Sequence, residues 1–86
     1  MAKAKTQKRG AYKKDEELIL QFGNRVKELR EKSGMSQREF ANVCDLDHSQ
    51  VSRIELGKVS TSLSMVFLLA KHLGITAQEL ITFKKK

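Results

Sequence analysis

The sequence has no proline, no tryptophan, one cysteine and no long apolar run. A lone cysteine cannot form an intramolecular disulfide, and no stretch approaches the roughly 18 apolar residues of a membrane span. The basic N-terminus is not followed by a hydrophobic segment, so it does not look like a secretory signal. These absences predict a cytoplasmic protein in a reducing compartment, without membrane association.

The 86 residues, of which 40% are hydrophobic, suffice for one domain with a small core. The net charge of +7 suggests a polyanionic partner, but the charge is unevenly distributed. Residues 1–14 hold six basic and no acidic residues, whereas 15–83 hold eight basic and ten acidic ones, and 84–86 are three lysines. We therefore predict a flexible basic arm (1–14), one domain (15–83) and a basic tail (84–86).

The apolar residues recur at helical spacing, and no segment alternates as a strand does, so the sequence predicts an all-α, compact five-helix bundle. The first helix is expected to begin after Asp15 and to bury a stripe of four residues: Leu18, Phe22, Val26 and Leu29. The fourth is expected from about Ser62 to Leu73 with Thr61 as its cap, and the fifth after Thr76.

The fourth predicted helix is apolar nearly all round. Its expected core face is Leu63, Val66, Phe67, Ala70 and Leu73. The other apolar residues, Met65, Leu68 and Leu69, are expected to project elsewhere.

Residues 37–56 predict two short helices joined by a tight turn. Each begins with a capping pattern, Ser36 to Glu39 and Asp47 to Gln50, and Gly57 can end the second. Their expected inward residues are Phe40, Ala41 and Cys44 on the first helix, and Val51 and Ile54 on the second.

The segment GMSQREFANVCDLDHSQVSRIELGK resembles the helix-turn-helix domain of the Cro and phage-repressor (XRE-like) regulators. The resemblance extends from about Phe22 to Phe83 and implies a lambda-repressor-like DNA-binding domain. Asp45 stands where that family usually has glycine in the turn. Aspartate tolerates the left-handed conformation better than most residues, so we expect the turn to form at some cost in stability.

With Val51 and Ile54 inward, the second helix of the motif (about 47–56) presents a polar outer face to the major groove. Its candidate base-reading residues are His48, Ser49, Ser52 and Arg53. Arg53 can donate two hydrogen bonds to guanine O6 and N7, although a solvated arginine or a phosphate contact is the alternative.

The candidate phosphate-binding residues are Gln37, Arg38, Gln50 and Lys58. The resemblance implies a phosphate contact for Gln37, and a helix N-terminus favours phosphate. Gln50 could contact a base or a phosphate, depending on helix tilt. The resemblance also implies a structural ion pair between Arg30 and Glu55, the alternative being two unconnected surface charges.

Apolar residues left over from the core predict a homodimer, with an interface of Met65, Leu68, Ile81 and Phe83. Alternatively, these side chains complete one small core. A dimer would place two recognition helices ~34 Å apart on a roughly palindromic operator. The arm could track phosphates or serve only solubility.

The predicted function is sequence-specific DNA-binding transcription regulation, for example as a repressor, with double-stranded DNA as partner. A protein-interaction module on the same fold is the alternative, and its outer face would be more apolar. Cys44, Asp47 and His48 are close in sequence, but a buried thiol, a cap and an outward reader do not form a metal or catalytic site. We therefore predict no enzyme activity, metal, cofactor or small-molecule ligand.

Overall fold

The computed structural model describes residues 14–83, so the predicted tail and all of the predicted arm except Lys14 lie outside the described residues. Five α-helices follow one another within this range and no strand occurs there: α1 (Glu16–Lys32), α2 (Gln37–Cys44), α3 (His48–Glu55), α4 (Leu63–Leu73) and α5 (Ala77–Ile81). The predicted all-α, five-helix architecture is confirmed. None of these helices is long and apolar enough to cross a membrane.

Local side-chain caps fix where the first two helices begin. The Asp15 carboxylate accepts a hydrogen bond from the Leu18 amide at 3.0 Å. In the box that opens α2, Ser36 Oγ accepts from the Glu39 amide at 3.1 Å, and Glu39 Oε1 accepts from the Ser36 amide at 2.8 Å. Each cap satisfies amides that have no partner within the helix, as predicted.

The last two helices are capped in the same way. Thr76 and Glu79 form the predicted box at the start of α5, with distances of 3.0 and 2.9 Å. The expected cap of α4, Thr61, is wrong by one residue, because Ser62 Oγ accepts from the Met65 amide at 3.1 Å. Threonine and serine can both cap a helix. Ser62 is the cap here because it has extended backbone geometry and directly precedes the first helical residue, Leu63.

The turn between α2 and α3 depends on one strained residue. Asp45 has φ 61° and ψ 44°, and it is the only non-glycine residue with positive φ in the described range. The Asp47 amide then donates to Gln50 Oε1 at 2.9 Å, at the start of α3. The departure from the family's usual glycine is therefore accommodated, because the left-handed conformation is retained.

The core is formed by ten apolar side chains drawn from all five helices: Phe22, Val26, Phe40, Ala41, Cys44, Val51, Ile54, Leu69, Ala70 and Leu80. Gly23 allows α1 to lie directly against the end of α3. A Cβ atom at this position would overlap the carbonyl oxygen of Ile54 and would lie 2.8 Å from that of Glu55. The two backbones thus approach each other where no side chain fits.

The predicted core face of α4 is wrong at three positions. Leu63 and Phe67 are 75% and 58% exposed, whereas Leu69, expected to project elsewhere, is fully buried. Because α4 is apolar nearly all round, spacing alone could not choose the face that meets the core. Leu18 of α1 also departs from expectation: it is 43% exposed, since it lies in the first turn, at the edge of the bundle.

Candidate nucleic-acid interface

The inner side of α3 fixes which of its residues face outward. Val51 and Ile54 are 1% and 4% exposed, so they anchor the helix to the core. Of the predicted base-reading residues on the other side, His48, Ser49 and Arg53 are exposed and Ser52 is half-buried. The helix therefore presents a polar face with an arginine in its last turn and a histidine at its first position.

The predicted phosphate-binding residues differ in their exposure to solvent. Arg38 and Lys58 are exposed, whereas Gln37 and Gln50 are half-buried. The carbonyl oxygen of the Gln50 side chain accepts the Asp47 amide, so its amide nitrogen is the group left to donate outward.

A buried ion pair connects α1 to the end of α3. Arg30 Nε lies 2.7 Å from Glu55 Oε2, and Arg30 Nη2 lies 2.9 Å from Glu55 Oε1. Arg30 Nη1 also donates to the Met35 carbonyl oxygen at 2.8 Å. The structure thus brings Arg30 and Glu55 together, as the resemblance implied. The hydrogen bond that Arg30 donates to Glu55 raises the pKa of Arg30 above its ordinary value, against the opposing effect of burial.

Gln37 joins this ion pair, which the sequence did not indicate. Its Nε2 donates to Glu55 Oε1 at 2.9 Å. A carboxylate can only accept, so Glu55 holds the nitrogen rather than the oxygen of the Gln37 amide toward itself. The sequence gives no signal for this contact, because residues 37 and 55 meet only when α2 and α3 pack against each other.

Cys44 and His48, which are close in sequence, differ in their exposure to solvent. Cys44 is 3% exposed within α2, and burial raises the pKa of its thiol to about 11. His48 is exposed at the start of α3. Among residues 14–83, no group of three or more histidine, cysteine, aspartate or glutamate side chains is placed to hold a metal ion.

A left-handed turn joins the two short helices α2 and α3, and α3 is held by the core on one side and polar on the other. This arrangement defines a helix-turn-helix protein. The HTH_3 helix-turn-helix family matches residues 26–80, more than half of the chain, and the chain belongs to this family. The predicted relationship to XRE-like regulators is thereby confirmed.

Two curated relatives and one crystal structure cover most of the domain. The chain is 42% identical to the control protein C.MunI of Mycoplasma sp. over 77% of this chain and 90% of the relative. It is 38% identical to the control protein C.BamHI of Bacillus amyloliquefaciens, over 74% and 80%. The structure of the restriction-modification controller protein C.AhdI from Aeromonas hydrophila aligns with a TM-score of 0.69 and 39% identity, over 72% and 94%.

Proposed function

We propose that this chain is a sequence-specific transcriptional regulator that binds double-stranded DNA with α3 in the major groove. The observation that supports this most is the outer face of α3. His48, Ser49 and Arg53 are exposed and polar, while Val51 and Ile54 hold the opposite side in the core. Exposed donors and acceptors on this face suit base edges, and they do not suit the apolar partner of a protein-interaction module.

Three donors on one buried carboxylate support the same role. Glu55 ends α3 and accepts from two nitrogens of Arg30 and one of Gln37, so α1, α2 and α3 are fixed relative to one another. Base discrimination needs side chains held in a defined register, and phosphate contacts set that register. Gln37, Arg38, Gln50 and Lys58 are the proposed phosphate contacts, with Gln37 limited to the amide hydrogen that Glu55 does not use.

The relatives favour one particular role within this class. C.MunI and C.BamHI are named as control proteins, and C.AhdI as a restriction-modification controller. Their lengths are close to that of the matched region, since the alignments cover 80–94% of each relative. We therefore favour control of restriction–modification genes over the other roles of the family.

The active form is proposed to be a homodimer on a roughly palindromic operator. Of the four predicted interface residues, Ile81 is 54% exposed, whereas Met65, Leu68 and Phe83 are half-buried against the core. Leu63 and Phe67, one turn apart on α4, are more exposed than any of these four and extend the proposed apolar surface. A second copy would remove this surface from water.

Selection of bound sequences from a random DNA pool tests the proposal. A dimeric regulator should enrich a palindrome whose half-sites lie about one helical turn, ~34 Å, apart. Enrichment of single half-sites would refute the dimer only, while recovery of an unchanged pool would refute sequence-specific binding. The predicted arm is tested separately: deletion of residues 2–14 should reduce the salt dependence of binding by about 0.9 for each phosphate that the arm neutralises in the wild-type complex.

A further inference from the structure

An apolar groove lies on the side of the domain where α1 begins and the described chain ends. It is lined by Leu18 and Ile19 of α1, by Val66 of α4, and by Ile81 and Phe83, and its volume is about 390 Å³. Leu18 and Ile81 are 43% and 54% exposed. Within a chain this small, contiguous exposed apolar surface favours an occupant.

The chain that enters α1 passes one edge of this groove. Lys14 borders a smaller cleft together with Lys58, Val59 and Ser60. Ser60 lines the apolar groove as well, next to Thr61. The residues that precede Lys14 therefore begin beside the loop that contributes Ser60 and Thr61 to the groove.

We propose that the side chain of Tyr12 occupies this groove and anchors the N-terminal arm to the domain. Tyr12 is the only aromatic residue in 1–14, and it lies two residues before Lys14, within about 7 Å along an extended chain. Its ring matches the apolar lining. Its hydroxyl group needs a partner when buried, and two of the lining residues, Ser60 and Thr61, carry hydroxyl groups.

The other end of the chain is a poorer occupant. Residues 84–86 are three lysines and offer no apolar side chain. The arm residues other than Tyr12 are mostly basic or small, and their only large apolar side chain is Met1, far along the chain. A second copy of the protein is the competing occupant, because the proposed dimer surface shares Ile81 and Phe83 with the groove. If Tyr12 fills the groove, the dimer contact is left to α4, where Leu63 and Phe67 are the most exposed apolar residues. Dilution distinguishes the two occupants below.

If the proposed function holds, anchoring at Tyr12 would also place the basic arm near the DNA. It would hold the root of the basic arm beside Lys58, one of the proposed phosphate contacts. The five arm residues Lys3, Lys5, Lys8, Arg9 and Lys13 would then start from the edge of the DNA-binding face rather than from an arbitrary point.

Quenching of tyrosine fluorescence by acrylamide tests the anchoring without DNA, so its failure is separate from that of the proposed function. The chain has one tyrosine and no tryptophan, so tyrosine emission reports Tyr12 alone. Contact of one ring face with the groove should lower the quenching constant about twofold relative to N-acetyl-tyrosinamide. Leu18→Lys should restore the value of the free compound, whereas Leu20→Lys should not. Leu20 is on the same helix and 46% exposed, but it does not line the groove.

Three results would overturn the proposal. The first is a wild-type quenching constant equal to that of N-acetyl-tyrosinamide. The second is an equal response to Leu18→Lys and Leu20→Lys, with helical circular dichroism retained in both. The third is protection that disappears on dilution, because it would assign the groove to a second copy. If Leu18→Lys does not fold, Ile81→Lys at the exposed rim replaces it with the same expected result.

Discussion

Arg30 of α1 and Glu55, the last residue of α3, form an ion pair of 2.7 Å between Nε and Oε2, with side chains only 8% and 2% exposed. Since Gln37 donates to the other carboxylate oxygen, three helices meet at one buried group. The outer face of α3 therefore has a fixed orientation relative to the rest of the domain, which a base-reading helix needs.

Replacement of Arg30 by methionine should destabilise the domain by about 3–5 kcal/mol, because it leaves the Glu55 carboxylate buried without its counter-charge. Urea unfolding monitored by circular dichroism measures the loss. Lys32→Met, in the same last turn but exposed, is the matched control and should have little effect. A loss no larger than that of the control would show that the pair does not hold α3. The double variant Arg30→Met/Glu55→Leu should recover part of the stability.

Gly23→Ala should destabilise the protein by about 1–3 kcal/mol, although alanine is the better helix former. The added Cβ would meet the carbonyl oxygens of Ile54 and Glu55, so α1 and α3 would have to separate. Asn24→Ala, exposed on the same helix, should be neutral or slightly stabilising. Thermal unfolding of both variants compares them, and a more stable Gly23→Ala would contradict the close approach of the helices.

Two substitutions of Asp45 test the left-handed conformation of the turn. Asp45→Gly should preserve or slightly raise stability, because glycine adopts φ 61° without strain but loses more backbone entropy on folding. Asp45→Val should lower it by about 1–2 kcal/mol or more, since a β-branched residue is poorly suited to the left-handed region. Equal stability of the two variants would mean that the turn has another conformation.

Burial of Cys44 predicts a loss of stability at alkaline pH. The unfolded thiol ionises near its ordinary pKa of 9.0, whereas the folded one does so near 11. Between these two values the unfolded state loses the proton and the folded state keeps it, so the free energy of unfolding falls as the pH rises from 9 toward 11. The total loss is at most about 2–3 kcal/mol. Wild type should therefore lose more stability than Cys44→Ala between about pH 8 and pH 10.5. Parallel losses would contradict the burial.

The features that could be predicted from the sequence depend mainly on short-range chemistry. Ser36 with Glu39, and Thr76 with Glu79, cap their helices three residues away, where the backbone alone determines the contact. The left-handed conformation of Asp45 could be predicted because the resembling family has glycine at this position and aspartate tolerates the same region. The pairing of Arg30 with Glu55 spans 25 residues, and only the family resemblance indicated it.

The features that were missed depend on tertiary packing. The face of α4 was ambiguous because apolar residues surround it, so the burial of Leu69 and the exposure of Phe67 follow only from where α1, α2 and α5 lie. The contact of Gln37 with Glu55 and the close approach at Gly23 likewise need the angle between helices. None of these leaves a periodic signal in the sequence.

We propose that α3 distinguishes base pairs through its outer face, and substitution of Arg53 tests this most directly. The measurement is the binding free energy of wild type, Arg53→Ala and Lys58→Ala for the selected operator and for each single base-pair substitution within it. Arg53→Ala should lose ~1–3 kcal/mol at the operator and discrimination at one base pair, while Lys58→Ala should weaken all sequences alike and reduce the salt slope by about 0.9. Uniform weakening by Arg53→Ala across all sequences, or no weakening at all, would contradict base reading by this helix.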